Sequence, residues 1–189
     1  MKNFTKALLI AVSLYIATPA VYAGPLFNVN RTIGGGSVVG TIETDGTIGL
    51  LNAANILGWT LDIDDGDGSG VFTMIGGTNS GLLLSGTLLS ATLTDLVFNF
   101  GGSNGFALFQ SPSPGSGQNW WCVEGLNSNC AGSGNSTESV NRFGNPTFAV
   151  RQGSMSIGTT VTSVPEPGTL AILSLGLLGL GALRRKQAK

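Results

Sequence analysis

The 189-residue chain has no histidine, only two cysteines (Cys122 and Cys130), and few charges, which make up 10% of its residues. Without His, a Ser-His-Asp triad cannot be assembled, and a cysteine has neither a histidine base nor a histidine co-ligand. Lysine is missing from the whole stretch between positions 24 and 167, where Arg31, Arg142 and Arg151 are the only cations. They face ten acidic side chains (Glu43, Asp45, Asp62, Asp64, Asp65, Asp67, Asp95, Glu124, Glu138 and Glu166), a net charge of −7. An acidic body without a basic patch is not built for nucleic acid or for anionic lipid surfaces. Gly34-Gly35-Gly36 lacks the spacing and the following helix of a phosphate loop. Nothing singles out a carboxylate pair for glycosidase chemistry.

The remaining positive charge sits at the two ends. Lys2 and Lys6 precede the apolar stretch 7–16, and Thr18-Pro19 interrupts it before Val21-Tyr22-Ala23. Small residues at −3 and −1 suit signal peptidase, so 1–23 reads as a signal peptide cleaved after Ala23. At the other end, Val164-Pro165-Glu166-Pro167-Gly168 leads into the apolar run 169–183 and then Arg184, Arg185 and Lys186. Each proline fixes its own φ and holds its predecessor extended, which presents the motif as a stiff, solvated strand. The run is shorter than the ~20 residues of a usual membrane span, so length alone leaves a packed helix open. The basic cluster behind it obeys the positive-inside rule and favours a transmembrane helix with the body outside.

This three-part ending resembles the PEP-CTERM sorting signal, also labelled the ice-binding protein C-terminal domain. The resemblance rests on Val164, Pro165, Glu166 and Pro167 for the motif, 169–183 for the helix and Arg184, Arg185 and Lys186 for the basic end. It implies processing by an exosortase, a membrane cysteine protease, in bacteria that make exopolysaccharide. It also implies anchorage in the inner membrane before passage to the cell envelope or exterior. Ice binding by the body is not part of that implication. The stretch 41–49, with Ala54-Asn55-Ile56 and Trp59, is similar to a pattern recurring in PEP-CTERM proteins of unassigned activity.

Between the two signals, residues 24–160 are rich in Gly, Ser, Thr and Asn with short apolar runs, the signature of an all-β domain. Residues 37–44 read as a strand, Asp45-Gly46 as a tight hairpin turn, and 47–50 as the returning strand. A short helical turn capped by Asn52 follows. Trp59, Leu61 and Ile63 then alternate with Thr60 and Asp62 as a half-buried strand requires. Further strands are expected at 71–75, 82–84, 91–100, 106–109, 120–123, 147–151 and 154–161. Their spacing predicts a single β-sandwich, with a jelly roll as one arrangement, followed by a linker and the sorting signal over 161–189.

Three groups of side chains invite chemistry. Cys122 and Cys130 enclose seven residues, and an oxidising compartment favours a disulfide between them. Asp62, Asp64, Asp65 and Asp67 crowd one glycine-rich link, where 65–70 fits the opening of a calcium loop. The twelfth position would be Gly76, so the bidentate Glu is missing, and a solvated acidic hairpin is the plainer reading. Trp120-Trp121 could stack on sugar rings, although alternation favours one ring inside and one at the surface. Asn30-Arg31-Thr32 and Asn135-Ser136-Thr137 match the glycosylation pattern, best explained by chance in a bacterial chain. The sequence thus predicts a non-enzymatic exported protein without a cofactor, processed by signal peptidase and exosortase and associated with exopolysaccharide. The alternative is a secreted carbohydrate-binding module using Trp120 or Trp121.

Overall fold

A computed structural model describes residues 24–130, 134–144 and 146–161. The predicted signal peptide with Ala23, the motif Val164 to Pro167, the apolar run 169–183 and the basic end lie outside the described residues. Among those residues no helix is long and apolar enough to cross a membrane.

The strands are β1 (Leu26–Ile33), β2 (Gly36–Thr44), β3 (Gly49–Leu50), β4 (Ile56–Asp64), β5 (Phe72–Ile75), β6 (Gly81–Ser85) and β7 (Leu89–Ala91). They are followed by β8 (Asp95–Asn99), β9 (Phe106–Ser111), β10 (Asn119–Glu124), β11 (Thr137–Arg142), β12 (Thr147–Val150) and β13 (Ser154–Thr160). They form two sheets in the orders β3-β7-β8-β13-β1-β2-β4-β5 and β12-β11-β10-β9-β6. Every ladder between named strands is antiparallel.

Strand alternation builds the core. Phe27, Val29 and Ile33 of β1, Leu61 and Ile63 of β4, and Leu96 and Phe98 of β8 bury one face of the larger sheet. Asn28, Asn30, Thr32, Thr60 and Asp62 occupy the opposite, solvated face. Phe109, Trp121, Val123 and Val140 meet them from the smaller sheet. Trp121 stacks on Phe109 with ring centroids 5.2 Å apart, and Phe109 meets Trp59 edge-on at 5.3 Å. Each such pair adds about 0.5–1.5 kcal/mol beyond burial of its area.

Two local expectations resolve differently. Asn52 caps the 3₁₀ turn Ala53–Asn55, accepting from Ala54 N at 2.9 Å while Asn55 Oδ1 accepts from Asn52 N at 2.8 Å. Asp45-Gly46, by contrast, is not a two-residue hairpin turn. The Asp45 carboxylate accepts from Thr47 N and from Asn55 Nδ2, both at 2.9 Å. Those bonds open the turn into a loop, so β3 pairs with β7 at the sheet edge while β2 lies between β1 and β4. Gly34 is left-handed (φ 57°) where the β1–β2 turn comes against Thr147, and a side chain there would collide with the threonine hydroxyl.

The last strand is not at an edge: β13 lies between β8 and β1. Its end is tied on both sides, by Thr160 N to Thr94 O and Val161 N to Leu26 O, each 2.7 Å. The first and last described residues therefore leave the sandwich at the same end.

One carboxylate joins the two sheets. Glu138 of β11 is fully buried and accepts from Arg31 Nε (2.9 Å) and Nη2 (2.7 Å), Arg151 Nε (2.9 Å) and Trp121 Nε1 (3.3 Å). The guanidiniums reach onward to Ser156 O and Thr32 O of the larger sheet. Removing the acid strands two partly buried cations, so Glu138→Ala should destabilise the protein by about 3–5 kcal/mol, with Glu138→Gln milder. Urea unfolding of the three proteins checks this; an unchanged midpoint for Glu138→Ala would contradict the role assigned to it.

Candidate functional site

Alternation along β10 divides the residues singled out by the sequence. Trp121 and Val123 point into the core, both fully buried. Trp120, Cys122 and Glu124 occupy the other face of the smaller sheet, with Trp120 half-buried. The tryptophan pair therefore offers one ring, not two, to a ligand. Across the strands Trp120 stands between Gln110 of β9 and Asn141 of β11. Both amides hold the neighbouring loop: Gln110 Oε1 accepts from Gly115 N at 2.6 Å, Gln110 Nε2 donates to Gly117 O, and Asn141 Nδ2 donates to Gln118 O.

A second loop is fixed to the same face by chemistry that the sequence announced. Cys122 and Cys130 form a disulfide. Beside it, fully buried Glu124 accepts from Cys130 N at 2.8 Å and from Thr137 Oγ1 at 2.6 Å. Ser128 adds a reciprocal pair, donating to Gly105 O and accepting from Gly105 N at 2.8 Å each. Glu124 carried no recognisable sequence signal, because its importance comes from register beside Cys122. The donor atoms of Cys122, Glu124 and Cys130 lie within 4.8 Å of one another. With the sulfurs bonded to each other they offer no thiolate to a metal.

The four aspartates lie at the opposite end of the sandwich from the chain termini, on or beside the β4–β5 link. Asp62 Oδ1 accepts from Thr73 Oγ1 at 2.6 Å, Asp64 Oδ1 from Gly66 N at 2.9 Å, and Asp67 Oδ1 from Ser69 N at 2.7 Å. Asp65 is buried and accepts from Arg142 N at 2.8 Å. Arg142 also donates to Ser69 Oγ (3.0 Å) and to Gly70 O, which clamps the link to β11. These oxygens organise the loop through side chain-to-backbone turns. All three arginines between 24 and 161 are thus engaged inside the fold.

The sorting segment adds what the body does not declare. Residues 163–186 match the PEP-CTERM protein-sorting motif, a signal that implies export and processing by an exosortase. No other family matches the body. No curated protein and no solved structure matches the chain. The matched segment starts two positions beyond Val161, the last residue described.

Two measurements test this local chemistry. Replacing both cysteines by serine should lower stability by about 2–3 kcal/mol, the loop-closure entropy of so small a ring, read as a shift in urea midpoint relative to the oxidised protein. The second is acid titration. Asp67 is held below the ordinary carboxylate range mainly by Ser69, through its hydroxyl and then its backbone N–H. Asn55 and then Thr47 do the same for Asp45, and Thr94 and then Ser156 for Asp95. A depressed folded pKa means that the contribution is complete above the unfolded value and fades as pH falls through the folded one. Stability should therefore hold at neutral pH and decline below about pH 4. Ser69→Ala should make that decline shallower; an unchanged slope would remove the role given to Ser69.

Proposed function

We propose that the chain is a non-enzymatic exported protein of the bacterial envelope or extracellular matrix, with 24–161 as its cargo domain. In this reading 169–183 anchors it in the inner membrane, with Arg184, Arg185 and Lys186 inside, until an exosortase acts at Val164-Pro165-Glu166-Pro167. The observation that carries the reading is the sorting motif, whose match begins three residues after the end of a fully incorporated final strand. Residues tied down through Val161 keep the body closed, so that the matched motif begins beyond the last backbone tie of the sheet. The engaged arginines and the absence of His favour a body without catalytic machinery, and no cofactor enters this account.

A second reading has one specific observation in its favour: Trp120, the half-buried indole between Gln110 and Asn141. One ring on a polar strand face suits stacking on a sugar of exopolysaccharide. Trp120→Ala should then abolish retention on polysaccharide from the producing cells while leaving the core intact, because Trp121 supplies the core ring. Equal retention of the two proteins would remove this reading.

The primary reading is tested by intact mass. In the host, released protein should begin at Gly24 and lack its basic end, whereas a strain without the exosortase should keep the tail. Identical unprocessed tails in both strains would contradict it.

A further inference from the structure

We propose that the end of the sandwich from which the sorting segment leaves rests on the outer face of the membrane that holds the tail. This inference depends on the anchoring described above. Strand directions fix which groups share that end: β1 starts there, β2 finishes there, β4 starts there and β13 finishes there. Three separate local features put an apolar side chain outside at that end. Leu93 is the tip of the β7–β8 turn and is 83% exposed. The turn itself is built by Thr92 Oγ1, which accepts from Thr94 N and Asp95 N, so the fold does not need a leucine at its tip. Leu57 is the extra residue where the β2–β4 register shifts, and it is 58% exposed. Ile48 projects from the loop opened by Asp45. Leu26 and Val161, joined by their backbones at the exit point, continue the apolar surface.

Turn tips and loops normally carry small polar residues, so aliphatic Leu93 and Ile48, with Leu57 at the bulge of β4, suit an apolar neighbour. Val71 and Phe143 are comparably exposed at the other end, so the tether decides which end meets it. The chain itself places that neighbour. Only seven residues, 162–168, separate Val161 from the apolar run, and fully extended they reach about 24 Å. That is close to the ~27 Å length of an eight-residue strand such as β1. The tethered body therefore spends its time within about one body length of the bilayer, with this end nearest. The acidic β4–β5 link lies at the far end, away from lipid headgroups. Asp45 and Asp95 sit near the exit. The contact is therefore apolar rather than electrostatic, and zwitterionic lipid is its partner.

The test uses the oxidised chain 24–189 in phosphatidylcholine vesicles with nitroxide-labelled headgroups. A fluorophore is placed through Thr78→Cys, in the exposed turn at the exit end, or through Gly35→Cys, where a side chain meets nothing within 4 Å at the other end. Quenching should be several-fold stronger at position 78 than at 35. The difference should collapse in Leu57→Ser/Leu93→Ser while that variant still floats with the vesicles. Equal quenching of a floating protein overturns the docking and leaves the anchoring intact, as does a difference that persists in the double variant. Wild-type protein that does not float overturns both.

Discussion

The placement of β13 is the constraint on which the body depends. A final strand inserted between β8 and β1 means that the larger sheet is interrupted until the chain through Thr160 is available. Folding cannot therefore be completed by the first part of the chain alone. Glu138 strengthens the same closure, because Arg31 comes from β1 and donates onward to Ser156 of β13, while Arg151 stands immediately before β13. The buried carboxylate, β1 and β13 are thus one cooperative unit. The matched sorting segment begins at 163, directly after this closing strand.

A body whose cations are all engaged internally presents a neutral-to-acidic surface. Arg31 and Arg151 satisfy Glu138, and Arg142 holds the β4–β5 link, while the aspartates of that link are organised by their own backbone. Charge here serves closure and loop geometry rather than capture of a charged partner. What is left for recognition is uncharged: the half-buried Trp120, small hydroxyl and amide side chains on the sheet surface, and exposed apolar residues such as Leu93, Leu57 and Ile48.

How much of this was legible depended on how local each signal was. Alternation at 59–63, the Asn52 cap and the spacing of Cys122 and Cys130 could be read directly, since each acts within a few residues. The sorting signal was the clearest of all, because it is a linear pattern carried by contiguous residues. β11 was not recognised: Thr137–Arg142 is polar, and its complete burial arises because other parts of the chain cover both its faces. β1 was missed for a related reason, its inward positions being broken by Arg31, whose partner Glu138 lies 107 positions away. The Asp45-Gly46 dipeptide gave a wrong local answer because Asn55 competes for the same carboxylate. That the Trp120-Trp121 pair splits into one inward and one outward ring was legible from alternation; that Trp120 is the outward one follows from the register of β10 in the smaller sheet.

The central claim is that the body is closed by β13 and that the sorting segment contributes an address, not stability. It is tested most directly by urea unfolding of two truncated chains, one ending at Val161 and one at Gly153, both with the disulfide formed. The account predicts a cooperative transition for the chain ending at Val161, with the midpoint of the full-length protein, and none for the shorter one. Loss of cooperative unfolding in the longer truncation, or an equally stable shorter one, would contradict it.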